Sequence, residues 1–328
     1  MKAAITTTAR YLPERIMTNF DLEKMVETSD EWIQTRTGIA ERHVVEKGQA
    51  SSFMATKVAK ILLHKSKTSP EDIDLIIIAT VTPDMLFPST AALVQDNIGA
   101  HKAWGFDLSG ACTGFLYALE TGRLLVESGK YNKVIVIGVD TMSSILDYTD
   151  RNTCVLFGDG AGGVLLESSK KENGVMDSIL FLDGSGGKYL HMPAGGSLLP
   201  ASHDTVDKKL HYLKQEGKIV FKFAVKKMAD VCSEILERNG LTGEKIKLFI
   251  PHQANKRIID AATQRCGFTE KQVLININKY GNTTAATIPI GLNEAVEDGV
   301  IQYGDLILLA AFGAGFSWGS MLLHWGVD

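Results

Sequence analysis

The chain alternates short, wholly apolar runs with longer stretches whose apolar residues recur every three or four positions. Residues 75–81 and 133–139 are continuous and β-branched, the pattern of strands covered on both faces in a sheet between helices. Residues 305–310 repeat that pattern, 247–250 give a shorter version, and 104–108 read as a further strand. Helical spacing marks 52–65, 90–98, 116–128, 219–238 and 255–266, and a helix ending near Asp298. In 219–238 the buried stripe is predicted at Val220, Ala224, Met228, Val231 and Ile235. Near the start, a strand precedes a polar, helix-like stretch over 21–36 that ends near Gly38. Residues 155–166 read as two strands joined by glycine-rich backbone, and 312–316 as a glycine-rich turn before a last strand over 318–325. Residues 183–217, rich in glycine and interrupted by Pro193 and Pro200, read as one long loop, functional or mobile.

The order of elements recurs. Ile78 and Ile250, Cys112 and Asn282, and Ile135 and Ile307 are each separated by roughly 170 residues, which predicts duplication of one βα unit. The expected fold class is α/β, with an N-terminal half over 1–174 and a C-terminal half over 175–328. Chance alignment of similar buried strands is the alternative. With a true repeat, Cys112 and Asn282 begin equivalent helices that point toward a common midline.

Composition narrows the class. The 328 residues are 45% hydrophobic and 22% charged, an ordinary globular balance with core enough for about two domains. A net charge of −4 gives no hint of a nucleic-acid partner. Cys112, Cys154, Cys232 and Cys266 lie far apart without metal-ligand spacing, so reduced thiols and no metal are expected. No apolar run approaches the roughly 18 residues of a membrane span, and the first ten residues lack a signal-peptide core. A cytoplasmic enzyme without membrane contact is the expectation.

Chemistry concentrates at Ser109-Gly110-Ala111-Cys112-Thr113-Gly114-Phe115, between a strand and a helix. Cys112 there faces unpaired backbone N–H groups and a positive dipole, which favour a thiolate. A free thiol near ~8.5 is only about 3% ionised at neutral pH, and a helix end supplies ~0.3–1 kcal/mol, up to ~2. A second group is therefore expected nearby; the plain alternative is a small buried residue. His252, in Pro251-His252-Gln253-Ala254-Asn255, follows a buried strand and suits a cleft or a structural role. Asn282, in Tyr280-Gly281-Asn282-Thr283, suits a site or a cap.

Taken in order, these motifs resemble those of the β-ketoacyl-acyl-carrier-protein synthase III family, the initiating condensing enzymes of type II fatty acid synthesis. The resemblance runs nearly the full length. It also rests on Glu27-Thr28-Ser29-Asp30-Glu31-Trp32-Ile33-Gln34-Thr35-Arg36-Thr37-Gly38-Ile39, Phe157-Gly158-Asp159-Gly160-Ala161-Gly162 and Phe312-Gly313-Ala314-Gly315-Phe316. It implies the thiolase fold, a duplicated five-layer αβαβα arrangement. It implies that Cys112 takes the acyl group from acyl-CoA, and that His252 and Asn282 stabilise the enolate left when malonyl-acyl-carrier protein loses carbon dioxide. A soft nucleophile suits thioester exchange, and neutral donors suit a developing enolate. The backbone N–H groups of Cys112 and Ala314 would form the oxyanion hole; Ala314 stands where many relatives have the middle of three glycines.

The same resemblance places Thr28, Trp32, Arg36 and Arg151 at the adenine end of CoA and Asn255 on the pantetheine arm. Phe87 would cross a homodimer interface to close the partner's acyl pocket. Gln253, Lys256, Arg257 and Lys222 would meet the carrier protein, although Lys222 also fits a plain solvated helix face. No cofactor is implied, because acyl-CoA is a substrate. A thiolase would need a second cysteine in the 312–316 turn, and an elongating condensing enzyme a histidine at position 282. A starter-unit enzyme of secondary metabolism and a non-catalytic thiolase-fold subunit are the remaining alternatives. The latter should lack Cys112, His252 or Asn282, and all three are present.

Overall fold

The computed structural model describes residues 1–171 and 173–326. Each apolar run becomes a strand whose two faces pack against different layers. In Leu75–Ala79, residues Leu75, Ile77 and Ala79 enter a central core, while Ile76 and Ile78 enter an outer one. Lys133–Asp140 divides likewise, with Val134 and Val136 inward and Ile135, Ile137 and Val139 outward. In Leu306–Gly313, Ile307, Leu309 and Ala311 reach the same central core from the other side, and Leu308, Ala310 and Phe312 face a third. Period-two alternation with both faces apolar is what a doubly covered sheet demands.

The first sheet runs in the order Lys2–Tyr11, Gly160–Ser169, Lys133–Asp140, Leu75–Ala79, Trp104–Leu108. The second runs Leu248–Pro251, Leu306–Gly313, Ser317–His324, Gly174–Leu182. Between them lie the helices Gly114–Glu127 and Thr287–Glu297. Ser51–Ser66 and Thr90–Ile98 cover the first sheet outside; Gly217–Arg238 and Lys256–Cys266 cover the second. This is the five-layer arrangement of the thiolase fold. Among the described residues no helix is long and apolar enough to cross a membrane.

The repeat is visible in register. Leu75 pairs with Val134 in parallel, and Leu248 with Ile307 likewise. Each central helix follows one turn of 3-10 helix, Ala111–Thr113 or Thr284–Ala286, whose first residue has left-handed backbone (φ 46° and 48°). That register corrects one expectation. The counterpart of Cys112 is Ala285, and Asn282 lies in the connection before the equivalent turn. The Thr284–Ala286 turn packs so closely on the strand Lys133–Asp140 that a Cβ on Gly138 would overlap the Ala285 carbonyl oxygen. Gly138→Ala is expected to cost roughly 1–3 kcal/mol of stability, read as a lower denaturant midpoint; an unchanged midpoint would contradict this packing.

Three other stretches differ from the sequence reading. The helix expected over 21–36 is two, Asn19–Glu23 and Asp30–Thr37. Thr18 and Asp21 form a capping box on the first, Ser29 caps the second, and Gly38 at φ 85° ends it. Residues 155–166 hold one strand, beginning at Gly160, because Gly158 is pinned against the Tyr280 carbonyl and donates its N–H to Asn282 O (3.1 Å). The 183–217 segment is ordered into a 3-10 helix, Gly184–Tyr189, a helix, His203–Asp207, and a two-residue pairing of Leu190–His191 with Lys214–Gln215. The strand Gly174–Leu182 had no signal, since its outer positions Met176, Phe181 and Leu182 are apolar yet exposed and mask the alternation.

Candidate active site

Cys112 sits in the middle of the Ala111–Thr113 turn, between the strand Trp104–Leu108 and the central helix. Left-handed backbone at Ala111 costs about 1–3 kcal/mol, and the turn is held by Thr113, whose hydroxyl donates to Gly110 O (2.9 Å) and pairs with Ser317 Oγ. Gly313 closes over it: a Cβ there would lie 2.9 Å from the Cys112 nitrogen. His252 follows the strand Leu248–Pro251, and its backbone N–H donates to Ala310 O (2.7 Å). Asn282 is clasped from the other half, its N–H donating to Leu156 O (2.9 Å) and its carbonyl accepting from Gly158. Its Oδ1 accepts from the Thr284 N–H (2.9 Å), which leaves the side-chain NH2 as a free donor.

These three side chains line one cavity of about 200 Å3, together with Phe157, Val220, Ala224, Met228, Ile258 and Phe312. A second, almost wholly apolar cavity of about 160 Å3 lies behind Cys112, lined by Val81, Met142, Ile145 and Leu213. Cys112, Phe157 and Leu190 belong to the wall common to both. An acyl group transferred to the sulfur can lie in the rear chamber, while the thiol displaced from the incoming thioester departs through the front one.

Electrostatically, the site rests neutral. Burial pushes the Cys112 thiol up to about 12, the negative charge of Asp140 adds to this, and the cysteine's own backbone N–H offsets only part. This corrects the expectation of a resting thiolate: enclosure costs the anion more than the helix end returns. His252 is 2% exposed, and burial drives its pKa down to about 3. Neither ring nitrogen has a hydrogen-bond partner among the described residues. A buried polar atom without a partner is costly, so both nitrogens are available to a ligand.

That burial has a measurable sign. The unfolded imidazole binds a proton near 6.5, and the folded one resists to about 3. Below the unfolded value the unfolded state binds more protons, so stability is complete above it and is lost as pH falls toward the folded value. At about pH 5 the loss is about 2 kcal/mol. His252→Gln is expected to remove this loss, so unfolding midpoints of the two proteins should change differently between about pH 8 and pH 5. An equal change in both would contradict it.

The rim carries the remaining candidates. The Arg151 guanidinium stacks 4.9 Å over the Trp32 ring, and its Nη1 donates to Glu27 O (2.7 Å). Arg36 is exposed on the same helix as Trp32, and its carbonyl accepts from Asn255 Nδ2 (3.0 Å). Asn255 lines the cavity, while its Oδ1 caps the helix Lys256–Cys266. Thr28 has a buried hydroxyl without a partner among the described residues. Arg257 stacks 4.8 Å over Phe221, Lys256 pairs with Asp260 (2.8 Å), and Lys222 is exposed.

Gln253 is a correction. It is 1% exposed, and its amide bonds internally to Pro251 O and Leu274 O and to the N–H groups of Asn276 and Ile277. It therefore ties the His252 strand end to the segment leading to Asn282, and cannot meet another protein. Phe87 is 83% exposed and lines neither cavity of its own chain. Ala314 avoids left-handed backbone, which falls to Gly315 at φ 144°. The sequence reading missed Leu156, Phe157, Met142, Leu190 and Leu213 as cavity walls. Apolar residues scattered over several segments carry no motif, although the loop read from sequence over 183–217 supplies two of them, Leu190 and Leu213.

Two regions of the chain match family models: residues 106–184 match 3-oxoacyl-[acyl-carrier-protein] synthase III, and residues 236–325 match its C-terminal part. The chain is 58% identical over 328 residues to beta-ketoacyl-[acyl-carrier-protein] synthase III of Chlorobaculum tepidum, covering 99% of this chain and 100% of the relative. It is 55% identical to the protein of the same name from Caldanaerobacter subterraneus, with 98% of each covered. The crystal structure of 3-oxoacyl-[acyl-carrier-protein] synthase III from Aquifex aeolicus superposes with a TM-score of 0.91 at 44% identity, covering 98% of this chain and all of that one. The chain belongs to the 3-oxoacyl-[acyl-carrier-protein] synthase III family.

Proposed function

We propose that this protein is an initiating condensing enzyme: it moves an acyl group from acyl-CoA to Cys112 and condenses it with malonyl-acyl-carrier protein. The observation that carries the reading is the single cavity lined by a thiol, an imidazole with both nitrogens unpartnered, and a carboxamide with a free NH2. Among the described residues lining it, only Cys112 and His252 titrate. As the Cys112 sulfur attacks the thioester carbon, its proton passes to His252 and then to the departing CoA sulfur. The negative charge gathers on the carbonyl oxygen, beside the N–H groups of Cys112 and Ala314.

In the second half-reaction, carbon dioxide leaves the malonyl thioester and its electron pair delocalises onto the thioester oxygen. His252 as a neutral N–H donor and the Asn282 NH2 stabilise that oxygen. The carbanion then attacks the acyl-Cys112 carbonyl and expels the thiolate, giving a β-ketoacyl product. Burial keeps His252 neutral throughout the working range, so it has a donor for the enolate and an acceptor for the thiol proton.

Trp32, Arg151 and Arg36 hold the adenine end of CoA at the rim, with Thr28 beside them and Asn255 along the arm. Lys256, Arg257 and Lys222 offer positive charge to an acidic carrier protein. The exposed Met85, Leu86 and Phe87 form an apolar patch that supports a homodimer in which Phe87 closes the partner's rear chamber. The reaction needs no cofactor, and a cytoplasmic location fits its substrates.

The deciding experiment is intact-protein mass spectrometry after exposure to a panel of acyl-CoAs, followed by malonyl-carrier protein. Acylation confined to Cys112, followed by product release, supports the reading. No acylation by any of them would sink it, and a strong preference for an unusual starter would favour secondary metabolism. Trp32→Ala is expected to raise KM for acyl-CoA roughly tenfold, the worth of one base–aromatic stack, with kcat little changed in steady-state assays.

A further inference from the structure

Asp140 ends the strand Lys133–Asp140 and is completely buried. Its two oxygens serve opposite halves of the chain. Oδ1 accepts from Thr80 Oγ1 (3.1 Å), the Val81 N–H (2.8 Å) and Thr82 Oγ1 (2.9 Å). Oδ2 accepts from Thr284 Oγ1 and the Ala285 N–H (3.2 Å). Both oxygens therefore act as acceptors toward backbone N–H groups that cannot do otherwise, and these bonds oppose the burial that pushes the carboxyl's pKa up. An apolar residue here would leave those groups unpaired, but packing alone does not require a charge at this point.

Thr284 is the informative partner. It is β-branched yet has φ of 48°, a conformation such residues rarely take. Its hydroxyl bonds Asp140, and its N–H donates to Asn282 Oδ1 (2.9 Å). One residue thus links the buried carboxylate to the carboxamide in the cavity. The bond to Asn282 also decides which end of that amide faces the cavity.

We propose that Asp140 is a positioning residue for Asn282, acting through Thr284 to hold the carboxamide with its NH2 group toward the cavity. Asp140 touches no reacting atom. The inference rests on the role given to Asn282 above. It predicts that loosening the Asp140–Thr284 link harms the half-reaction that needs Asn282 and spares the one that needs Cys112, His252 and the oxyanion hole.

The test compares Asp140→Asn, Thr284→Val and Thr284→Ser in the full chain. Two rates are measured: self-acylation by acetyl-CoA, and decarboxylation of malonyl-carrier protein. In Asp140→Asn one oxygen becomes an NH2 that accepts nothing, so either the Val81 N–H or the Ala285 N–H loses its partner and the link is loosened. Thr284→Val keeps the shape and loses the hydroxyl. Both are expected to slow decarboxylation roughly 10- to 100-fold, the cost of a donor displaced by about an ångström, through kcat rather than KM. In Thr284→Val acylation should stay within about threefold, and Thr284→Ser should restore decarboxylation, since positioning and not bulk is at stake; Asp140→Asn also removes the charge that raises the Cys112 thiol, so it is read on decarboxylation alone. Thr284→Val decarboxylating at the wild-type rate, or losing both rates in equal proportion, would overturn the proposal. If Asp140→Asn does not fold, the valine and serine variants decide alone. A wild-type protein that neither acylates nor decarboxylates would instead sink the functional reading, so the two failures are distinct.

Discussion

Cys112→Ser is expected to abolish self-acylation, lowering it by a factor on the order of 10^4 or more, as removal of a covalent nucleophile does. The physical reason lies in the atom. A hydroxyl is far less acidic than a thiol and less polarisable, and an oxygen ester of the acyl group would resist the later carbanion. The resting site offers no help, because the thiol itself is held neutral by burial and by the charge of Asp140. The smaller oxygen fits the same turn, so the variant should unfold at nearly the wild-type temperature. Mass spectrometry with acyl-CoA reads the loss directly. Acylation persisting at another cysteine would remove Cys112 from the mechanism.

Asn282→Ala should separate the two half-reactions. Its NH2 is one of two side-chain donors assigned to the enolate oxygen, and loss of one such donor costs roughly 10^2–10^3 in rate. Decarboxylation of malonyl-carrier protein should fall by that factor, while acyl transfer to Cys112, which uses backbone donors, should stay close to normal. Asn282→Asp is the sharper variant. It keeps the acceptor that the Thr284 N–H requires, but presents a carboxylate to the oxygen that gains negative charge. Single-turnover assays of each half-reaction decide the matter; equal losses in both would contradict this division of labour.

Strand and helix positions were legible wherever a side-chain pattern repeats. The runs at 75–81 and 133–139 announced doubly covered strands because residues 75–80 and 134–139 are all buried, and the strand ends placed Cys112 and His252. What the sequence hid is long-range. Whether a turn near a helix start yields a thiolate depends on how completely the rest of the fold excludes water, and Cys112 is enclosed by Gly313, far away in sequence. The inward amide of Gln253 is likewise invisible in a motif, since its four partners are all backbone groups. The roughly 170-residue spacing found the duplication but mispaired Cys112 with Asn282, because apolar runs tolerate a shift of a few positions and only strand register removes it.

The central layer has a consequence for how the molecule holds together. Its core draws Phe115 and Leu119 from one half and Ile288 and Leu292 from the other, and Asp140 and Gly158 reach across to Ala285 and Asn282. Neither half, cut free, could cover its inner helix or complete these bonds. The repeat is thus one of mutual dependence: the two halves share a single interior, and the cavity that holds Cys112, His252 and Asn282 forms where they join.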